Sequence, residues 1–195
     1  MAFGDDKWRA HAELIGQVTL SWNHAVYQLL RVFSHLTGLP DELCEAIFFS
    51  HQSDKSQRML VARVAAAVDM AEKDRATLQA LLQRLDKVSP TRNLAAHTIF
   101  GMSAFDPDTS QWGPTVVAAK STDRRLKKDF TAQFKQADNA LRTIYKELDD
   151  WLTLTPIPER PWGAPPFLGY IPTNMADLES DAQPSASESL LTART

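Results

Sequence analysis

The chain has 195 residues, 44% of them hydrophobic and 23% charged, with a formal net charge of -3 and one cysteine, Cys44. These values suit one globular domain with a tail, and they exclude an intramolecular disulfide, a Cys-based zinc centre and a coat protein that grips nucleic acid through a broadly basic surface. A local basic groove stays open. No apolar run approaches the ~18 to 20 residues needed to cross a bilayer, and the N-terminus lacks a basic-then-apolar leader, so no membrane association and a cytoplasmic location are expected.

From Trp8, apolar residues recur at three- and four-residue steps through His11, Leu14, Ile15, Val18, Trp22, Val26, Leu29, Phe33 and Leu36. This spacing predicts a long amphipathic helix stopped by Gly38 and Pro40. A short helix over 41–49 follows, with Asp41 and Glu42 in its first turn, where negative charge favours the positive end of the helix dipole. Ser53 has the chemistry of an N-cap for a second long helix, with Leu60, Val64, Val68, Ala71, Leu78, Leu82 and Leu85 on one stripe, ending near Val88. Ser89 and Pro90 then read as a new N-cap and first-turn pair, opening a helix of its own whose free backbone N–H groups would favour an anion.

Between Phe100 and Ala119 helical periodicity vanishes, and Gly101, Pro107, Gly113 and Pro114 punctuate a loop or small β-hairpin with Phe105 and Trp112 on its arms. Ser121, Thr122 and Asp123 can cap a last long helix carrying Leu126, Phe130, Phe134, Ala137, Leu141, Ile144 or Tyr145, Leu148 and Trp151 or Leu152. The expected fold is therefore all-α, a bundle of three long and two short helices over 1–153, with the 100–119 excursion before the last helix. Beyond it, seven of the 11 prolines fall between 156 and 195. The segment 154–178 reads as an extended strap on the bundle or a docking peptide, and 179–195 as a disordered tail.

One segment carries chemistry. Arg92-Asn93-Leu94-Ala95-Ala96-His97 places a permanent cation, an amide and an imidazole within six residues. On a helix, Asn93 and His97 lie one turn apart on one face, and Arg92 emerges about 100° away and must reach round to join them. Such groups can hold a phosphate and move its protons. The plainer reading is that Arg92 pairs with a nearby carboxylate and His97 is half-buried at a helix interface.

The hexamer, following two or more long helices, resembles the signature of the HEPN superfamily of small all-α domains: Arg, a polar residue, three residues, then His. The resemblance spans roughly residues 8 to 153 through element order, and its specific part is the six-residue motif. It implies a HEPN-like bundle that acts as a homodimer, the motifs of two chains facing a shared cleft, and a metal-independent endoribonuclease with no cofactor. Other members of the superfamily bind nucleotides or have lost activity. Ile99 stands where a toxin branch of the family carries Tyr, so that Tyr's contribution is absent or supplied elsewhere.

In the enzymatic reading, His97 takes the proton of a ribose 2′-hydroxyl or protonates the departing 5′-oxygen, since an imidazole ordinarily titrates near 6.5. Arg92 offers a planar donor fork to the phosphate as charge builds on it, and Asn93 orients His97 or adds a donor. The products would be a 2′,3′-cyclic phosphate and a 5′-hydroxyl, and DNA would be inert. By resemblance, the second His comes from the partner subunit, and the biological setting is a toxin, phage-defence or stress response with an antitoxin or regulatory protein.

Substrate-binding candidates are Lys55 and Arg58, which could line the cleft opposite the signature, and the compact basic patch Arg124, Arg125, Lys127 and Lys128. For Asp54 and Arg58 the plainer reading is a surface ion pair one turn apart, worth about 0.3 to 0.5 kcal/mol. The histidines at 11, 24, 35 and 51 share no metal-ligand spacing. With seven glycines and no phosphate-cradling loop, dinucleotide folds are disfavoured. The alternative function is a non-catalytic bundle of the same ancestry that binds a nucleotide or a protein, through the 100–119 excursion or the proline-rich segment.

Overall fold

The computed structural model describes residues 5–106, 111–118, 126 and 129–156, and the structural statements below concern these. The elements run α1 (Asp5–Thr37), α2 (Asp41–Ser50), α3 (Asp54–Ala67), α4 (Glu72–His97), β1 (Phe100–Asp106), β2 (Gln111–Ala118) and α5 (Phe130–Leu154). The protein is a bundle of three long and two short helices, with an antiparallel two-stranded hairpin before the last helix. The strap and tail expected beyond Thr153 lie almost wholly outside the described residues, as do Arg124, Arg125, Lys127 and Lys128.

The core forms around α1, which packs on every other helix and on β2. Leu14, Val18, Trp22, Ala25, Leu29, Phe33 and Leu36 are buried, in keeping with its periodicity. The stop works as expected. Gly38 takes a φ of 64°, a left-handed conformation that costs glycine little, and its N–H donates to the Ser34 carbonyl at 2.8 Å. Along α5, Phe134, Ala137, Leu141, Ile144, Leu148 and Trp151 are buried at alternating three- and four-residue steps, so the helix presents one apolar seam to α1 and α4.

Three helix boundaries differ from the sequence expectation. The stretch expected to be continuous from Ser53 to Val88 is two helices, separated by residues 68–71. Ser53 does cap α3: its hydroxyl accepts from the Ser56 N–H at 3.1 Å and Ser56 returns the bond. The buried stripe of α3 is Gln57, Val61 and Ala65, and Leu60 and Val64 are only partly buried. The break is held from the far side by Arg75, whose guanidinium donates to the carbonyls of Ala66 at 3.0 Å, Val68 at 3.3 Å and Met70 at 3.4 Å. Carbonyls that a helix end leaves without N–H partners are thereby satisfied.

The second boundary bears on function. Ser89 and Pro90 do not start a helix, because α4 runs through Pro90 to His97. An interior proline costs about 3 kcal/mol through a lost hydrogen bond and a ring clash. Leu81, Leu82 and Leu85 before it and Leu94 and Ala95 after it all reach the core. Each buried leucine contributes roughly 1.5 to 3 kcal/mol, which offsets that penalty. At α5, too, the expected start moves: the helix begins at Phe130, Asp129 accepts from the Ala132 N–H at 2.9 Å, Leu126 precedes the helix, and Ser121, Thr122 and Asp123 lie outside the described residues.

The hairpin pairs Phe100 with Ala118 and Phe105 with Trp112, with an irregularity between Ser103 and Phe105. Its base is anchored by Phe100, whose ring lies 4.3 Å from that of His11 and 5.1 Å from that of Phe130. Its outer part is solvated, with Trp112 83% exposed against Phe105 at a ring separation of 5.3 Å.

Candidate active site at the end of the fourth helix

Leu94 and Ala95 face the core and fix the rotation of the last two turns of α4. Asn93 and His97, one turn apart, consequently emerge exposed on the outer face. Half-buried Arg92 does reach round, its Nη1 donating to the Asn93 Oδ1 at 3.1 Å. Arg92 thus meets Asn93, and His97 follows Asn93 by one turn as an exposed side chain, not the interface histidine of the plainer reading.

The other half of that reading holds for Arg92. Its Nη1 also lies 3.5 Å from the Asp54 carboxylate, and its guanidinium carbon sits 5.3 Å from the centre of the Trp22 ring. Arg58 lies over the same ring at 5.5 Å and donates through Nε to Asp86 at 2.8 Å. The expected Asp54–Arg58 pair is therefore replaced by two pairs that cross from α3 to α4. Asp54 serves Arg92 and Asp86 serves Arg58, while the buried indole of Trp22 carries both cations.

Arg58 is brought beside the signature but only 6% of its side chain is exposed, so it supports the site from beneath. Lys55 is exposed on α3. The electrostatic setting differs from the expectation as well. The hexamer closes α4, with the Thr98 N–H donating to the Leu94 carbonyl at 3.0 Å, so the nearby backbone presents carbonyl groups, the negative end of the dipole. The N–H groups expected to attract a phosphate are not there.

Positive charge at the site must come from side chains. Both polar contacts of Arg92 use Nη1, and its buried Nε has no partner. Sequence reasoning read Trp22 only as core, gave Asp54 to Arg58 and missed the carboxylate of Asp86. An arginine one turn from a carboxylate gave no sign that each would choose a partner on another helix. Among the described residues, no three His, Cys, Asp or Glu side chains gather as they would around a metal ion.

No helix among the described residues is long and apolar enough to cross a membrane. Compared with known proteins, the chain matches no family model, and neither a curated protein nor a solved structure is significantly similar to it.

Proposed function

We propose that the protein is a metal-independent endoribonuclease of the HEPN type, working as a homodimer through Arg92, Asn93 and His97, in a toxin, phage-defence or stress role. The observation that carries this reading is the exposed Asn93–His97 face beside an arginine that Trp22 and Asp54 hold in place. A free imidazole can reach a substrate, and a guanidinium already ordered gives up less entropy when it binds phosphate.

In the reaction, one imidazole takes the proton from a ribose 2′-hydroxyl as its oxygen bonds to phosphorus. The bond from phosphorus to the 5′-oxygen breaks, and a second imidazolium protonates the leaving oxygen. Each chain contributes one His97, so the acid and the base come from different subunits. Arg92 stabilises the extra negative charge on the phosphoryl oxygens.

The test is cleavage of a mixed-sequence RNA in EDTA by wild type, His97→Ala and Arg92→Ala, each with its fold checked by circular dichroism. Wild type is expected to leave 2′,3′-cyclic phosphate ends, and His97→Ala to be slower by about 100-fold or more. Equal rates in all three proteins would remove the assignment.

A second reading, a non-catalytic bundle that binds a nucleotide or protein, is favoured by one observation. The hexamer ends its helix, so the backbone repels an anion where a catalytic phosphate would sit. RNA or nucleotide binding without cleavage would support it.

A further inference from the structure

A cavity of about 440 Å³ opens on the far part of α1, between its first turns, strand β2 and the start of α5. Its volume lies within the roughly 300 to 1,000 Å³ of small-molecule sites. None of Arg92, Asn93 and His97 lines it.

Its walls combine three kinds of surface. Leu14, Val116 and Phe130 supply apolar and aromatic contact. Lys7 and Lys135 bring cations from α1 and α5, and Thr115 and Thr131 bring hydroxyl groups. His11 also lines it, only 6% exposed, set among the rings of Phe100, Phe130 and Phe134, with its Nε2 lacking any hydrogen-bond partner. A buried polar nitrogen without a partner costs about 1 to 3 kcal/mol, so a group that supplied one would gain by doing so.

The charges discriminate among ligands. Two lysines face one carboxylate, Glu13, which is held on the rim by the Gln17 amide donating to its Oε1 at 3.1 Å. Among the described lining residues one positive charge is left over, which favours an anionic group on the ligand. The aromatic wall favours a flat body.

We infer that this cavity is a binding site for a small planar aromatic carboxylate, its ring against Phe130 and Leu14 and its carboxylate between Lys7 and Lys135. The site is separate from the proposed ribonuclease centre and does not depend on that reading. Because Phe100 packs on His11 and follows His97 by three residues, a ligand here also braces the chain leaving α4.

Titration of the full chain with 2-naphthoate by calorimetry, with 2-naphthamide and acetate in parallel, tests the inference, and backbone-amide NMR shifts locate the binding. One equivalent of 2-naphthoate should bind, with shifts at residues 7–17, 115–116 and 130–135. The amide and acetate should each bind at least about tenfold more weakly, because one lacks the charge and the other the ring. The double variant Lys7→Gln/Lys135→Gln should lose about tenfold, and Ala10→Trp, at an exposed position of the lining, should block binding by filling the space.

Saturation absent up to about 1 mM, shifts clustered elsewhere, or affinity unchanged in both variants would overturn the site. Tighter binding of adenosine 5′-monophosphate than of 2-naphthoate would overturn the carboxylate assignment.

Discussion

The seam between α1 and α5 and the corner where α3 meets α4 are both built on α1, yet they bury different things. At the seam, Leu14, Val18, Leu141, Ile144 and Leu148 are packed side by side, and polar groups cross it at two places: the Ser21 hydroxyl donates to Asp138 at 2.5 Å, with Arg142 on the same carboxylate, and Asp149 accepts from Arg31 at 2.7 Å and from the buried Gln28 amide at 3.4 Å. At the corner, two arginines lie on one buried tryptophan and each is neutralised by a carboxylate from another helix. Apolar burial is non-directional and adds up along a helix. Charge pairing is directional, and its net worth depends on how much water the partners keep. The seam supplies stability and the corner supplies position, which is what a site at the end of α4 requires.

The largest effect should come from breaking the seam. Leu141→Ala removes a side chain with no exposure and should cost about 2 to 5 kcal/mol, read as a lower urea midpoint. RNA binding measured below that midpoint should be kept.

At the corner, Asp86→Ala should cost less, about 1 to 3 kcal/mol. It strands the buried Arg58 guanidinium, although Asp86 itself is 60% exposed and its own hydration changes little. A cost as large as that at the seam would show that the corner, too, is a stability element.

The aromatic cluster around His11 sharpens the contrast through pH. Burial disfavours the imidazolium and holds the His11 pKa below its ordinary 6.5. The unfolded chain therefore binds more protons than the folded one between that depressed value and 6.5. Stability should rise with pH through this window and fall as the solution is acidified below about 6.5. Urea titrations across the window should show a shallower slope for His11→Phe, which keeps the ring packing without the titrating group.

The smallest stability change is expected for Asp54→Asn. The contact with Arg92 is long, at 3.5 Å, and partly solvated, so the loss should stay under about 1 kcal/mol. Its functional effect should be larger, because Arg92 loses its orienting partner. Cleavage or RNA affinity that falls while the urea midpoint stays put would separate position from stability.

Much of the fold was legible because apolar spacing reports one buried face wherever a helix packs along its length. The α5 stripe and the α1 stripe follow it nearly residue by residue, and the lapse of that spacing with its turn residues marked the excursion as a loop or hairpin, which the strand pairing resolves as a hairpin. The signature was legible as chemistry, and the one-turn relation of Asn93 to His97 followed from helical geometry. Its electrostatic setting was not. Ser89-Pro90 carries the local signal of a helix start, and only the burial of leucines on both sides of Pro90 allows α4 to continue.

By itself, then, the sequence determined the helical class, the faces that α1 and α5 bury and the six residues of the candidate site. Tertiary structure decided where α3 gives way to α4, through Arg75 reaching back to three carbonyls, and which carboxylate each corner arginine takes. It also decided that His11 lines a cavity and that the signature lies at the negative end of its helix. The reason is range: periodicity is a property of neighbours along the chain, whereas hydrogen bonds and ion pairs are chosen among groups that only folding brings together.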